Sequence, residues 1–454
     1  MSARFSEREA REALGLLEGD AAKVYTAVAT DTRSMPPGAL FVAIKGERFD
    51  GHDFLEAALE AGAAAALVRK GTAEVPGLAL HEVDDPLLGY GLLARARRRR
   101  IRGPVVGITG TNGKTSTKEM LAAALATRYR TYATRLNLNN LIGVPQTILE
   151  APEDTEALVV EAGASVPGEI ARYRTIIEPS AAVVTNVAPG HLEGFGSRDA
   201  VLSEKLELVR GIPLVVVGVE PAELPVEARK RTDGRVVSAG LTGAEVVPDS
   251  VALDSNGFAT LAVGGRRLTL PILGLHQAEN AMIAWALAEG LGLDPGLVAG
   301  ALERVRLPGG RGELTQVGRL TILNDCYNAN PASFRAALAT AERLRPGRRL
   351  VFVAGTMREL GDQAPAWHQE VAERLARLDP DLLGVVGDFV EAMAPWAERF
   401  GERLLAARDA PALAPLLAAR LRGDELVVLK ASRGVALERI LPAVTSRATA
   451  APEV

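Results

Sequence analysis

Short apolar runs bounded by turn residues alternate with segments of helical period along most of this chain, the pattern of strands and helices in alternation. Near the start, Ala39–Ile44 reads as a short strand after the turn signal Pro36-Pro37-Gly38. Phe54–Ala61 reads as a helix with Asp53 as N-cap, Glu56 three residues on and Gly62 as its stop, and Ala63–Val68 as a second strand. From Gly103 the apolar runs Val105–Ile108, Ala157–Val160, Ala182–Val187, Pro213–Val219 and Arg235–Ser238 predict buried parallel strands. Lys114–Ala126, Arg198–Val209 and Ala278–Leu291 take helical periodicity. Ser250–Ile272 differs: Asn256-Gly257 and Gly264-Gly265 split it into alternating segments, which predicts hairpins and an antiparallel patch. The last third returns to strands at Leu320–Leu323, Leu350–Val353, Leu383–Val386 and Leu426–Leu429, an open Rossmann-like sheet without the G-x-G-x-x-G fingerprint. The stretch after Pro442 predicts a frayed tail, and no internal repeat is present.

Two punctuations divide the pattern. The run Arg95–Arg102, arginine at every position but two, reads as a solvated helix end leading into a domain junction, and Leu307-Pro308-Gly309-Gly310-Arg311-Gly312 is a glycine-rich break. Together they predict domains at 1–100, 101–307 and 308–454, within what 454 residues lead one to expect. Bulk composition narrows the class: 48% hydrophobic and 24% charged residues are ordinary for a globular enzyme. A net charge of −4, from 52 basic against 56 acidic residues, argues against nucleic acid as partner. The single cysteine, Cys326, leaves no disulfide framework within the chain. No apolar run of membrane length and no charged-then-apolar leader is present, so the expectation is a cytoplasmic protein without a membrane partner.

The strongest local chemistry lies at Thr109-Gly110-Thr111-Asn112-Gly113-Lys114-Thr115. A buried strand runs into a glycine turn, and Gly-Lys-Thr falls at a helix start. Such a loop points backbone N–H groups and a helix N-terminus at a polyphosphate, supplies a lysine charge, and offers a hydroxyl to Mg²⁺. The general P-loop has a glycine where this chain has Ile108, so this is a tighter form of the motif. Glu161, ending the strand Ala157–Val160, is placed to hold a phosphate-bridging magnesium. Asn186 and the turn Ala188-Pro189-Gly190 present His191, which alone reads as a structural histidine and gains interest beside Glu161 and Thr115. Lys205 alone reads as a solvated helix lysine. Asp325 leads into the asparagine-rich turn Tyr327–Pro331, a candidate nucleotide-contacting loop, and Arg311 stands where a guanidinium can reach a phosphate on domain closure. Thr30-Asp31-Thr32-Arg33 is compatible with a capped loop. Asn137, Asn139 and Asn140 make a segment too polar for core and suited to a polar ligand.

Taken together, the chain resembles the ATP-dependent Mur ligase family over nearly its whole length. The resemblance is carried by Thr109–Thr115, Asp31-Thr32-Arg33, Leu40–His52, Asn137–Pro145, Asn186-Val187-Ala188, His191–Ser197, Asp325–Pro331, Met357-Arg358-Glu359-Leu360-Gly361 and Lys430-Ala431-Ser432-Arg433. The stretches Lys45–His52 and His191–Ser197 are similar to those of the dipeptide-adding branch rather than the amino-acid-adding ones.

The resemblance implies a small N-terminal α/β domain for the UDP end of a substrate, a central P-loop-type ATPase domain and a C-terminal Rossmann-like domain that closes over both. It implies UDP-N-acetylmuramoyl-tripeptide and D-alanyl-D-alanine as substrates, ATP and two Mg²⁺, and a monomer. By the same likeness Lys114 contacts the β- and γ-phosphates, Thr115 and Glu161 hold one Mg²⁺, and His191 holds the second together with Lys205 as an N-carbamate. Asn280, Arg311 and Asp325 fall at ATP positions, Thr30–Arg33, Lys45 and Asn137, Asn139 and Asn140 at UDP-substrate positions, and Asn328, Lys430 and Ser432 near the acceptor peptide. One departure is His276-Gln277-Ala278-Glu279-Asn280, where the family often has an asparagine at position 277; this weights Asn280 above Gln277. Open alternatives are an amino-acid-adding Mur ligase or a folylpolyglutamate synthetase, and, in another class, a regulatory P-loop NTPase. Chemistry through an acyl phosphate needs water excluded, so hinges are expected near both boundaries, with the domains apart when no ligand is bound.

Overall fold

A computed structural model describes residues 4–450, and side-chain placement through Ser446. Three parallel-stranded sheets follow one another along the chain, with a three-stranded antiparallel patch between the second and third. In the first sheet Val28–Ala29, Leu40–Val42, Ala65–Arg69 and Ala79–Val83 lie side by side, all parallel. The expected helix after the second strand is shorter, a 3₁₀ turn Gly51–Phe54 followed by Leu55–Glu60. Its entry is capped by Asp50, which accepts from the His52 amide, so Asp53 is not the cap.

The central sheet has the order Arg235–Ser238, Leu214–Val217, Ala181–Val184, Val105–Thr109, Ala157–Glu161, Thr131–Ala133, every pair parallel. The chain starts at Val105–Thr109, winds to one edge, returns, and continues on the other side. That strand is therefore the topological switch point, where ligands gather at the carboxyl ends of an open α/β sheet. It is wholly buried, as a strand covered by helices on both faces must be. Helices Lys114–Leu125 and Leu275–Gly290 pack together over one face, burying Met120, Leu121, Ala281, Ile283 and Leu287. The antiparallel patch Ser250–Leu253, Phe258–Val263, Arg266–Leu273 turns at the predicted Asn256-Gly257 and Gly264-Gly265 and joins the same core through Leu261, Leu268 and Leu270. The third sheet orders Glu313–Val317, Leu320–Asp325, Leu426–Lys430, Leu350–Gly355, Leu382–Val386, Leu404–Ala407, with only the first strand antiparallel.

Two readings are corrected. The arginine run does close a helix, Pro86–Arg98, but it is only partly solvated: Arg99 and Arg102 are exposed, whereas Arg97 is 1% exposed and donates to the carbonyls of Ala151 and Pro152. Arg98 donates to Ile177 O, Arg99 pairs with Glu178, and Arg100 caps Arg4 O and stacks over Phe5. Arg97, Arg98 and Arg99 thereby tie the helix that ends the first domain to segments of the central one. Nor does the chain fray after Pro442: a helix runs Leu441–Ala450 with Val444 buried, and 451–454 lie outside the described residues. Among the described residues no helix is long and apolar enough to cross a membrane.

Candidate active site

The phosphate loop is shaped by what little space surrounds it. Gly113 has φ +78, and a Cβ there would lie 2.3 Å from Asn280 Oδ1. At Gly110 a Cβ would lie 1.9 Å from Thr185 Oγ1. Only glycine fits either place without displacing a buried polar side chain. The exit of the next strand pins the loop further: Asn112 N donates to Asn186 Oδ1 at 3.0 Å, Thr185 Oγ1 donates to Asn112 O at 2.6 Å, and Thr111 exchanges hydrogen bonds with Ala188. The strand ends at Val184, short of the predicted Val187, so Asn186 acts from two residues beyond it. Lys114, first residue of its helix, folds its ammonium back onto Gly110 O (2.8 Å) and Thr111 O (3.2 Å). Burial holds that ammonium below the usual lysine range, with the nearby Glu161 carboxylate acting in the opposite direction.

Register sets the next contacts. Ile108 pairs with Glu161 across parallel strands, so the carboxylate emerges beside the loop. Glu161 is 2% exposed; its two oxygens accept from Thr115 Oγ1 (2.9 Å) and Asn139 Nδ2 (2.8 Å), and its amide donates to Thr134 Oγ1 (2.9 Å). His191 sits at φ +53, a conformation few non-glycine residues adopt, and its Nδ1 lies 2.6 Å from Glu359 Oε2 of the third domain. Lys205 closes the helix Arg198–Lys205, after which the chain tightens into a 3₁₀ turn at Leu206–Val209 instead of continuing as one helix. It is 1% exposed, and its side chain makes no hydrogen bond or ion pair among the described residues. Burial first, then the charge of Lys114, push its ammonium well below the usual range, against the pull of Glu204.

Two cavities flank the loop. One, about 310 Å³, is lined by Asn112, Gly113, His276, Asn280, Asp325 and Lys430 among others. The other, about 300 Å³, is lined by Lys114, Thr115, Asn137, Glu161, His191 and Glu359 among others, and Arg311 reaches both. Asn280 Nδ2 donates to Gln277 Oε1 at 3.1 Å, so the two amides act as one buried pair. Arg311 stacks 3.5 Å from the ring centre of Tyr327, an arrangement that fixes a guanidinium plane. Asp325 Oδ2 accepts from Lys430 Nζ at 2.6 Å and Oδ1 accepts from Gly312 N at 3.1 Å; Lys430 also donates to Asn328 O. Ser432 Oγ donates to Ala329 O and accepts from Arg358 N. Lys430 and Ser432 therefore hold the loop 325–329 in shape.

Thr30, Asp31, Thr32, Arg33, Lys45 and Asn140 line neither cavity. The first five lie on the N-terminal domain, where Arg33 binds Asp31 through two nitrogens and holds its carboxyl down at about 2, and Lys45 Nζ stands 3.7 Å from Asp50. Asn140 Oδ1 accepts from the amides of Ile142 and Gly143 at a helix start. Nor do the second and third domains stand apart: Asn330 Nδ2 reaches Asn112 Oδ1 at 2.6 Å, and Glu359 reaches His191. Sequence reasoning missed Glu359 as a site residue, although it stands inside a motif quoted for the resemblance, and it named Tyr327 and Asn330 only as part of a candidate nucleotide-contacting loop. It missed Thr134 altogether, since nothing in a threonine's local context tells which distant amide it will accept.

A strand, a glycine loop, Lys114, the Thr115–Glu161 pair and His191, roofed by a third domain, line a cleft between domains. Comparison with known proteins decides the family. The chain matches the Mur ligase middle domain over residues 108–288, the "Mur ligase, glutamate ligase domain" over 310–433, and the "Mur ligase family, catalytic domain" over 24–95. The UDP-N-acetylmuramoyl-tripeptide–D-alanyl-D-alanine ligase of Bacillus subtilis is 35% identical over 431 residues, 92% of this chain and 93% of that protein. The chain belongs to the Mur ligase family. Among solved structures, MurF from Acinetobacter baumannii superposes with a TM-score of 0.88 at 28% identity, covering 98% of this chain and 99% of its own. MurF ligase from Thermotoga maritima, solved in complex with ADP, gives 0.81 at 29% identity, covering 93% and 98%. The order of three α/β domains is thus the Mur ligase order, and the two cavities beside Gly113 lie between the second and third of them.

Proposed function

We propose that this cleft performs ATP-dependent amide ligation, joining D-alanyl-D-alanine to UDP-N-acetylmuramoyl-tripeptide and giving the pentapeptide precursor of peptidoglycan. The observation that carries the reading is the convergence of Lys114, the Thr115–Glu161 pair and His191 on one cavity, with the Asn280 cavity on the other side of the same loop. A nucleoside triphosphate laid across Gly113 puts its base beside Asn280 and its phosphates beside Lys114.

The terminal carboxylate of the tripeptide attacks the γ-phosphorus, and ADP leaves. The dipeptide amine then attacks the acyl carbon of the resulting acyl phosphate, the nitrogen gives up a proton, and phosphate departs as the amide forms. Lys114 and Arg311 offset negative charge on the transferred group, and the Asn112–Asn330 and His191–Glu359 contacts keep water from the acyl phosphate. The donor set fits magnesium: a hydroxyl and a carboxylate side by side at Thr115 and Glu161 are hard oxygen ligands. Among the described residues no group of three or more acidic, histidine or cysteine side chains is placed to hold a metal ion. Bound there, Mg²⁺ ions supply electrostatic stabilisation of the phosphoryl oxygens. A second ion is assigned to His191 and Lys205. A lysine buried as Lys205 is does not ligate a cation as an ammonium, but as an N-carbamate it presents oxygen and a negative charge. The reading carries with it a cytoplasmic monomer.

The test is phosphate release from ATP with UDP-muramoyl tripeptide, with and without D-alanyl-D-alanine. Release that requires both, with a product heavier by the dipeptide, is expected. Release indifferent to both refutes the reading in favour of a regulatory NTPase, and a preference for single amino acids moves it to another branch of the family. Labelling with ¹³CO₂ tests the carbamate: a carbamate resonance lost in Lys205→Ala is expected.

A further inference from the structure

Glu359 is a side chain that the reaction scheme above uses only as a seal, yet its placement is costly. It sits at φ +66, a left-handed backbone that costs a non-glycine residue energy and persists only where the surroundings dictate it. Those surroundings are rigid. On one side the Met357 amide donates to the buried His368 Nε2 at 2.9 Å; next to it the Arg358 amide donates to Ser432 Oγ at 2.9 Å. On the other side Gly361, also left-handed, packs at van der Waals range against the Glu193 backbone, which a Cβ there would meet at 3.4 Å. The short loop is thus wedged between its own domain and the helix Leu192–Phe195 that follows His191.

Its side-chain contact across the domain boundary is Glu359 Oε2 to His191 Nδ1, at 2.6 Å. A histidine held at Nδ1 by a carboxylate has its tautomer and ring plane set and presents Nε2 as the free nitrogen, the arrangement that orients histidines for a cation. We propose that Glu359 is a positioning residue, which sets the tautomer and orientation of His191 and does so only when the C-terminal domain is docked. His191 then becomes ready for the second ion as a consequence of domain closure, and by reciprocity occupancy at His191 favours closure. The proposal rests on the ligase reading for the identity of the ion, and on the structure alone for the carboxylate–imidazole latch.

The test uses the full chain labelled with ¹⁵N-histidine, read without nucleotide, in wild type, Glu359→Gln and Glu359→Ala. His191→Asn identifies the His191 ring signals among the five histidines. Spin labels at Lys230→Cys and Glu391→Cys, both exposed, report the distance between domains. Wild type is expected to show the Nδ1-protonated tautomer and a short distance. Glu359→Ala is expected to shift His191 toward the Nε2-protonated form and to broaden the distance distribution, with Glu359→Gln, which keeps size and an acceptor oxygen, in between. In turnover, kcat is expected to fall about 10- to 100-fold, with the KM for ATP nearly unchanged. A His191 spectrum and a distance identical to wild type in both variants overturn the latch. Because these signals are read without substrates, a wild type that shows the latch but no ligation refutes the ligase reading and leaves the latch standing.

Discussion

Replacing Gly113 with alanine separates two costs that the phosphate loop carries. The new Cβ must occupy φ +78, about 1–2 kcal/mol for an L-residue, and it meets Asn280 Oδ1 at 2.3 Å. Asn280 is 5% exposed and bonded to Gln277, so rotating it away leaves a buried polar group unsatisfied at roughly 1–3 kcal/mol. The backbone strain is present with or without nucleotide and is expected as a Tm lower by a few degrees. The displacement of Asn280 alters the base-side cavity itself, and so appears as ATP affinity weakened about 5- to 150-fold. Calorimetric titration of Gly113→Ala, Asn280→Ala and the double variant measures both. Once Asn280 is truncated the clash is gone, so the double variant is expected to bind ATP about as Asn280→Ala alone, a coupling of at least about 1 kcal/mol. Affinity losses that add to within about 0.5 kcal/mol refute the argument, because independent sites add and touching ones do not.

Glu161→Gln keeps a partner for Asn139 but removes the charge beside Thr115; phosphate release is expected to fall about 100-fold or more, and activity within threefold of wild type defeats the role given to Glu161. Arg97→Met keeps the stem's packing but leaves the carbonyls of Ala151 and Pro152 without their donor; denaturant unfolding is expected to show about 2–4 kcal/mol lost, and a loss under 1 kcal/mol makes the junction weaker than argued. His81, buried beneath Tyr25 and Arg11, is pushed down to about 4 by burial. Between that value and its unfolded pKa near 6.5 the unfolded chain binds the proton and the folded one does not, so stability present above about pH 6.5 drains away as pH falls toward 4. At pH 4.5 this single group accounts for about 2.5 kcal/mol; His81→Gln is expected to flatten the pH slope by that amount in urea unfolding, and an unchanged slope counts against it.

Residues whose role is local were legible from sequence. The loop Thr109–Thr115 announces itself because strand, glycine turn and helix start are adjacent in the chain, and the hairpin patch because Asn256-Gly257 and Gly264-Gly265 sit at its turns. The fold class followed from the same periodicities. Edge strands such as Thr131–Ala133 and Leu404–Ala407 were not seen, since three or four residues of mixed exposure carry no clear period. Helix entry near Asp50 was misplaced because several polar residues there are able to cap, and only the 3₁₀ geometry selects one. The arginine run misled because charge reads as solvent until the carbonyls it serves, some 50 to 80 residues away, are brought beside it.

The cleft divides in the same way. Composition, periodicity and the glycine loop determine by themselves an α/β chain able to hold a polyphosphate, because phosphate binding uses backbone amides at one strand-to-helix turn. Only the tertiary structure decides that Glu161 stands beside Thr115, that Lys205 is buried, and that Glu359 reaches His191. Those facts depend on strand register and domain docking, where free energy comes from contacts between residues far apart in sequence, which no local pattern encodes.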